Sequence, residues 1–327
     1  MIHRKLVFLR DSPSLIQVDE AVAVLCAHGL TPVRSLAEGE AAEVVAIVTG
    51  LGKFPATDAA GYPNLRTVAQ FGAGTDNIDV QGLWQSRRIA VTCTPNLSNR
   101  HVAEWALALL ILTLRAAPRD ASGLRAEPFS WRDVPRGLGL SEAVVGVIGC
   151  GNIGLEAAAL VAPLAAKVLL WNRSAKTIRL PQVDPDRCEV VADLNELAER
   201  ADAVTVHLAL NAGTRGLLGE AFFARGRGLA LVNTSRGNIV DEAALLVALE
   251  NGTVKSAGID VWSTEGAGTT DIVQALRRHP GVLPSSHIGA FTQGVQRLYA
   301  VQVARNIAAI VEGREAEIAP YIADPLG

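Results

Sequence analysis

Short apolar runs recur along this chain without apolar–polar alternation, and longer amphipathic runs separate them. This pattern limits the fold more than any other feature. Residues 144–148, 167–171, 189–191, 203–207, 230–232 and 256–259 form one such series. A strand with one face in water alternates, whereas a strand covered on both faces need not. An earlier series comprises residues 5–9, 44–48, 67–71 and 90–92, with helix-like runs such as 16–28 and 77–85 between them. Strands that alternate with helices predict an α/β protein with doubly wound parallel sheets.

At 327 residues the natural division is two domains. Two long helices join them: residues 100 to about 116, with Val102, Trp105, Ala106, Leu109 and Leu110 at helical spacing, and residues 292 to about 312. The residues after the second helix are too few for a domain, so the tail packs on something already built. The predicted first domain is therefore residues 1–99 plus 289–327. A second domain, 100–288, is inserted between them, and residues 117–139, rich in Arg, Pro and Gly, connect the first long helix to it.

Composition narrows the functional classes. Hydrophobic residues make up 49% and charged residues 19%, which excludes disorder and allows a large core. The net charge is -3 with no basic block, so nucleic acid is not an expected partner. The N-terminal apolar run is too short for a signal-peptide core, and the most apolar stretch, residues 105–114, is too short to span a membrane. Cys26, Cys93, Cys150 and Cys188 are widely spaced, form no metal-like pairs, and read as reduced thiols of a cytoplasmic protein. No metal is expected.

Residues 144–148 run into Gly149-Cys150-Gly151-Asn152-Ile153-Gly154 and then into a helical run. That is the context a dinucleotide-binding turn needs. Gly149 permits the tight turn, Gly151 lets the backbone approach a pyrophosphate, and Gly154 lets helix and strand pack closely. The N–H groups of the helix start, at Asn152 and Ile153, favour the anion. An NAD site usually carries Asp or Glu at the end of the next strand. Here that strand ends in Asn172-Arg173-Ser174, with Lys176 nearby. Arg173 and Ser174 suit a 2′-phosphate, so NADP(H) is the preferred cofactor and NAD(H) the possible one.

Three residues in separate phrases follow this turn. Arg236 lies in Asn233-Thr234-Ser235-Arg236-Gly237, Glu265 in Asp260-Val261-Trp262-Ser263-Thr264-Glu265, and His287 in Ser285-Ser286-His287-Ile288-Gly289. An arginine clamps a carboxylate with two parallel donors. A histidine is the natural proton donor near neutral pH. A carboxylate beside it stabilises the imidazolium and fixes its orientation. Together these parts suit the reduction of a 2-oxo acid by a nicotinamide. Thr234, in the same phrase as Arg236, is a cofactor-contact candidate.

These phrases, with Gly72-Ala73-Gly74-Thr75-Asp76-Asn77-Ile78-Asp79, Thr94-Pro95 followed by Val102-Ala103-Glu104, and Val240-Asp241-Glu242, give the chain its likeness. It resembles the D-isomer-specific 2-hydroxyacid dehydrogenase family over nearly its whole length. The resemblance implies that Arg236, Glu265 and His287 are catalytic. It implies that Asp260 binds the carboxamide, and that the backbone N–H groups of Ala73 and Gly74 help Arg236 hold the substrate carboxylate. It further implies two Rossmann-like domains, the cofactor domain inserted into a flavodoxin-like substrate domain, with the site in the cleft and a homodimer built on the cofactor domains. The end at Asn172-Arg173-Ser174 and the stretch from Trp131 to Gly154 look similar to glyoxylate/hydroxypyruvate reductases.

Several positions depart from the family pattern. Gly266 and Ala209 stand where proline often does, and the loop Val48-Thr49-Gly50-Leu51-Gly52-Lys53 lacks an arginine suited to a substrate phosphate. Trp131 reads equally as a pocket-lining residue, from this chain or its neighbour, or as packing. His207 is expected to be a packed histidine and His101 a helix-start residue. A nucleotide-sensing binding protein, like the family's corepressors, is the alternative from another class. The three catalytic candidates, all retained here, argue against it.

Overall fold

The computed structural model describes residues 4–10, 13–118, 136–173, 178, 185–265 and 268–325. Trp131, Ser174, Lys176 and Gly266 lie outside the described residues. The chain divides into two compact units, Met1–Ser98 with Phe291–Gly327, and Asn99–Ala290.

The first unit opens with β1 (Lys5–Leu9), α1 (Asp19–Ala27), β2 (Leu30–Val33), β3 (Val44–Thr49), β4 (Thr67–Gln70), α2 (Val80–Arg87) and β5 (Ala90–Thr92). The strands are all parallel in the order β2-β1-β3-β4-β5, the flavodoxin-like order. β2 is not evident from the sequence series. It is short and contains Pro32, which an edge strand tolerates because the missing N–H faces no partner. The helix-like run 16–28 divides into a 3-10 turn, Pro13–Gln17, and α1. The run 77–85 becomes helical only at Val80, because Asp79 caps α2 by accepting from the Gly82 N–H. Asn77 serves another purpose: its Nδ2 donates to Gly50 O and Gly52 O, each at 2.8 Å.

The second unit begins with α3 (Asn99–Leu114). There follow β6 (Val144–Ile148), α4 (Asn152–Val161), β7 (Lys167–Trp171), β8 (Cys188–Val190), α5 (Leu194–Arg200), β9 (Ala203–Val206) and α6 (Glu220–Phe223). β10 (Leu229–Asn233), α7 (Glu242–Asn251), β11 (Val254–Ile259), α8 (Asp271–Arg278) and β12 (Val282–Pro284) complete it. Its sheet is parallel in the order β12-β11-β10-β9-β6-β7-β8. Strand order reverses at β6, which lies between β7 and β9, and such switch points take ligands outside the carboxyl ends of the strands. β12, at the far edge and ending in Pro284, is a second strand that the sequence series misses.

Both faces of this sheet are covered, which explains the missing alternation. Val145, Val147, Val168 and Leu170 pack with Leu109 and Leu110 of α3 and Ala158 and Val161 of α4. Ile148, Leu169, Trp171, Val204 and Val206 face the other way, with Leu197, Phe222 and Leu245. The chain then returns to the first unit as α9 (Gln293–Glu312), capped by Thr292 and ended by Gly313 in the left-handed region. Ala300, Val303, Ala304 and Ile307 of α9 cover Val7, Leu9 and Val48. Among the described residues no helix is long and apolar enough to cross a membrane.

Candidate active site

The glycine turn is defined by close approach. Gly149 sits at φ +97°. A Cβ on Gly154 would lie 1.8 Å from Gly149 O, so α4 can start this near β6 only without a side chain there. A Cβ on Gly151 would meet nothing within 4 Å, and Gly151 is the N-cap of α4 without a side chain to satisfy its first N–H groups. The space and the donors both fit a pyrophosphate. Burial pushes the Cys150 thiol up to about 12, so it stays uncharged beside that anion site. Asn172, from the end of β7, accepts the Cys150 N–H at 3.2 Å. Arg173, next in sequence, turns to the loop after β9, where its Nη1 meets Asn211 Oδ1 at 2.6 Å.

His207 follows β9 beneath this turn. Its Nε2 lies 2.9 Å from Thr205 Oγ1, and its Nδ1 is buried without a partner among the described residues. Burial pulls its imidazole down to about 4, so it is neutral at neutral pH. It is a packed histidine.

The three catalytic candidates follow neighbouring strands: Arg236 comes after β10, Glu265 after β11 and His287 after β12. Asn233, at the end of β10, shapes the first loop. Its Oδ1 accepts from Ser235 N and Ser235 Oγ, and its Nδ2 donates to Arg236 O at 3.0 Å. Arg236 Nη1 donates to Ser235 O at 2.8 Å. Glu265 uses both carboxylate oxygens. Oε1 accepts the Trp262 N–H at 2.8 Å, and Oε2 lies 2.7 Å from His287 Nδ1. Since a carboxylate only accepts, the geometry assigns the proton to Nδ1. The pair is partly buried, at 24% and 22% side-chain exposure, which shields it from the full screening of water.

Asp260 carries the turn beneath His287. It is 1% exposed. Its carboxylate accepts from Ser285 Oγ at 2.5 Å, Ile288 N at 3.0 Å and Gly289 N at 2.9 Å, while its backbone O accepts from His287 N at 2.7 Å. These bonds hold His287 at φ +56°, a left-handed conformation that a non-glycine residue adopts only under constraint. The resemblance implied a contact from Asp260 to the carboxamide. The structure places its carboxylate on residues 285–289, where three donors of that turn converge on it.

Two further supports were not singled out in the sequence. Glu242 accepts from Ser263 N at 2.9 Å and from Ser263 Oγ at 2.5 Å, fixing the loop that carries Glu265. Trp262 Nε1 donates to Ser285 O at 2.9 Å and ties that loop to the His287 turn. Glu242 stands at a helix start, where an acidic residue reads only as a capping preference. Ala73 and Gly74 belong to the first unit, in the loop after β4, with Ala73 exposed. Among the described residues no group of three or more His, Cys, Asp or Glu could hold a metal.

Residues 107–289 match the family model described as D-isomer specific 2-hydroxyacid dehydrogenase, NAD binding domain. The chain is 34% identical over 288 residues to 4-methyl-2-oxopentanoate reductase A of Aspergillus oryzae, covering 86% of this chain and 84% of that one. It is 32% identical to the D-3-phosphoglycerate dehydrogenase of Mycobacterium tuberculosis over 78% of this chain, but spans only 46% of that longer protein. A glyoxylate reductase from Paecilomyes thermophila superposes with a TM-score of 0.78 at 28% identity, over 96% of this chain and 97% of its own. The chain belongs to the D-isomer specific 2-hydroxyacid dehydrogenase family. It is an oxidoreductase of the 2-oxo acid/D-2-hydroxy acid pair, and its second unit is the family's NAD-binding domain.

Proposed function

We propose that this protein reduces small 2-oxo acids such as glyoxylate and hydroxypyruvate to D-2-hydroxy acids, and that it takes NADPH in preference to NADH. One observation carries the reading: the Glu265–His287 pair, 2.7 Å apart, stands on strand-end loops adjoining the one that bears Arg236. This arrangement favours turnover over a nucleotide-sensing binding protein.

When bound, the nicotinamide supplies the hydride. Glu265 occupies His287 Nδ1, which leaves Nε2 to give a proton to the substrate's carbonyl oxygen. Arg236 binds the carboxylate and polarises the carbonyl. Ala73 and Gly74, through their backbone N–H groups, are the first unit's part in substrate binding, and that unit serves as the substrate domain. Gly149, Gly151, Asn152, Ile153 and Gly154 take the pyrophosphate. Thr234 Oγ1 is buried without a partner among the described residues, which fits a bond supplied by the cofactor. Asp260 is assigned to the carboxamide by the resemblance, and its bonds to residues 285–289 also fix the turn of His287.

The NADPH preference is supported by the end of β7. Asn172 stands where an NAD site has a carboxylate and is engaged by the glycine turn, and Arg173 follows it. A homodimer through the second unit is in keeping with α3, where Ile111 and Leu112 are each 39% exposed. The four free cysteines suit a cytoplasmic protein.

A specific observation favours a second substrate range. Leu51 is 51% exposed at the tip of the loop after β3. Gln70 Nε2 and Asn77 Nδ2 pin the carbonyl of Gly50, and Asn77 also pins that of Gly52. An apolar side chain held out this way suits a branched aliphatic 2-oxo acid, the substrate in the name of the Aspergillus oryzae relative. Assays of glyoxylate, hydroxypyruvate, pyruvate and 4-methyl-2-oxopentanoate with each cofactor test both readings. The first expects the highest kcat/KM for glyoxylate or hydroxypyruvate with NADPH. A maximum at 4-methyl-2-oxopentanoate would replace it with the second.

A further inference from the structure

The ends of β7 and β9 are joined by a contact that the catalytic reading does not use. Arg173 Nη1 donates to Asn211 Oδ1 at 2.6 Å, across the end of β6, the strand between β7 and β9. The same Oδ1 accepts the Gly213 N–H at 2.9 Å. The Asn211 N–H donates to Thr214 Oγ1 at 2.9 Å, and that hydroxyl donates to Ala209 O at 2.7 Å. Thr214 is only 2% exposed, so the loop is anchored from below by its own bonds. A Cβ on Gly213 would stand 2.7 Å from Arg173 Nη1, and glycine there leaves the guanidinium its place. The other end is fixed as well, because Asn172 is bonded to the glycine turn at Cys150.

We propose that Asn211 is a positioning residue for cofactor choice. It holds the Arg173 guanidinium at the loop after β9, one residue on from the Asn172 that is bonded to the glycine turn, where a 2′-phosphate on the adenosine ribose would meet it. The proposal rests on the NADPH reading above. A free arginine loses several rotatable bonds when a phosphate captures it, and an anchored one has already lost them. The choice of an amide matters equally. Asn211 accepts a hydrogen bond without carrying charge, so the guanidinium keeps its full positive charge for the phosphate. An aspartate would hold the same place and cancel that charge.

Calorimetric titrations of NADP+ and NAD+, beside steady-state assays with NADPH and NADH, separate the possibilities. Arg173→Ala is expected to weaken NADP+ binding roughly 10- to 100-fold, the size of one charge-assisted contact. Asn211→Ala should weaken NADP+ about 3- to 10-fold, a coupling typical of touching neighbours, and leave NAD+ within about 2-fold. Asn211→Asp preserves the side-chain shape and should weaken NADP+ by about 10-fold or more while sparing NAD+. Added to Arg173→Ala, Asn211→Ala should cause no further loss. If Arg173→Ala erases the preference but both Asn211 variants keep it, the role given to Asn211 is wrong and the NADPH reading stands. If either Asn211 variant weakens both cofactors equally, the contact only stitches the loop and the proposal is overturned. If Arg173→Ala leaves the NADP+/NAD+ ratio unchanged, both readings fall together.

Discussion

The glycine turn after β6 and the loops after β10, β11 and β12 share one edge of one sheet and are built in opposite ways. The turn is defined by missing side chains: Gly154 would put a Cβ 1.8 Å from Gly149 O, and Gly151 leaves open space above the start of α4. The loops that carry the catalytic candidates are defined by side chains that bond one another. Glu242 holds Ser263, Trp262 holds Ser285, Asp260 holds residues 285–289, and Glu265 holds His287. The difference is in what each region tolerates. An atom added at Gly154 displaces the backbone itself, so stability and binding fall together there. A site made of side chains can lose its chemistry while its fold survives.

Arg236→Ala should therefore have the largest effect on rate with little effect on stability. We expect kcat/KM for 2-oxo acids to fall by about 100- to 1000-fold, with KM raised and kcat lowered, because the guanidinium acts on both carboxylate and carbonyl. Cofactor affinity and melting temperature should stay near wild type. A melting temperature that collapses with the rate would place Arg236 among the structural groups instead.

Gly154→Ala sharpens the other side of the contrast. The new methyl would overlap the Gly149 carbonyl, so the start of α4 must move, at a cost of about 1–3 kcal/mol or more in stability. Cofactor affinity should fall in the same variant. Calorimetric melting and cofactor titration read both. Normal affinity in a destabilised protein would detach the turn from the cofactor.

Asp260→Ala lies between the two kinds of region, since a buried side chain here supports a catalytic turn. It removes the acceptor of three donors, at about 1–3 kcal/mol for each group left unpaired, and frees His287 from its left-handed backbone. The variant should lose stability and kcat together, with the KM for cofactor changing least. A variant that loses cofactor affinity first would put the carboxamide contact that the resemblance implied ahead of the support to the turn.

The smallest effect appears only in acid. The folded protein keeps His207 neutral down to about 4, whereas an exposed imidazole takes up a proton near 6.5. Between those values the unfolded chain binds a proton that the folded chain refuses, so stability falls as pH drops. By pH 5.5 the loss is on the order of 1 kcal/mol. His207→Gln should flatten this limb in melting curves recorded from pH 7 to 5. An equally steep limb in the variant would assign the acid loss to other groups.

Much of this was legible in the sequence because it depends on local chemistry. The strand–glycine–helix run at residues 144–161 has one sensible reading, and the phrases around Arg236, Glu265 and His287 point to strand-end loops. β2 and β12 were missed because edge strands are short and accept proline, which Pro32 and Pro284 supply. The burial of Asp260 could not be read, because its partners lie 25–29 residues away across the next strand. The direction of Arg173 was equally hidden. It depends on Asn211, 38 residues on, in a loop whose shape comes from its own hydrogen bonds.

The central claim is that His287, oriented by Glu265, gives the proton that completes reduction. Single-turnover stopped-flow tests it most directly, with enzyme preloaded with NADPH and mixed with a small 2-oxo acid. We expect His287→Asn and His287→Gln to slow cofactor oxidation by about 100-fold or more, and Glu265→Gln by a smaller factor. Cofactor affinity should be unchanged in all three. Wild-type oxidation rates in the His287 variants, with cofactor and substrate bound normally, would contradict the account and require another proton donor.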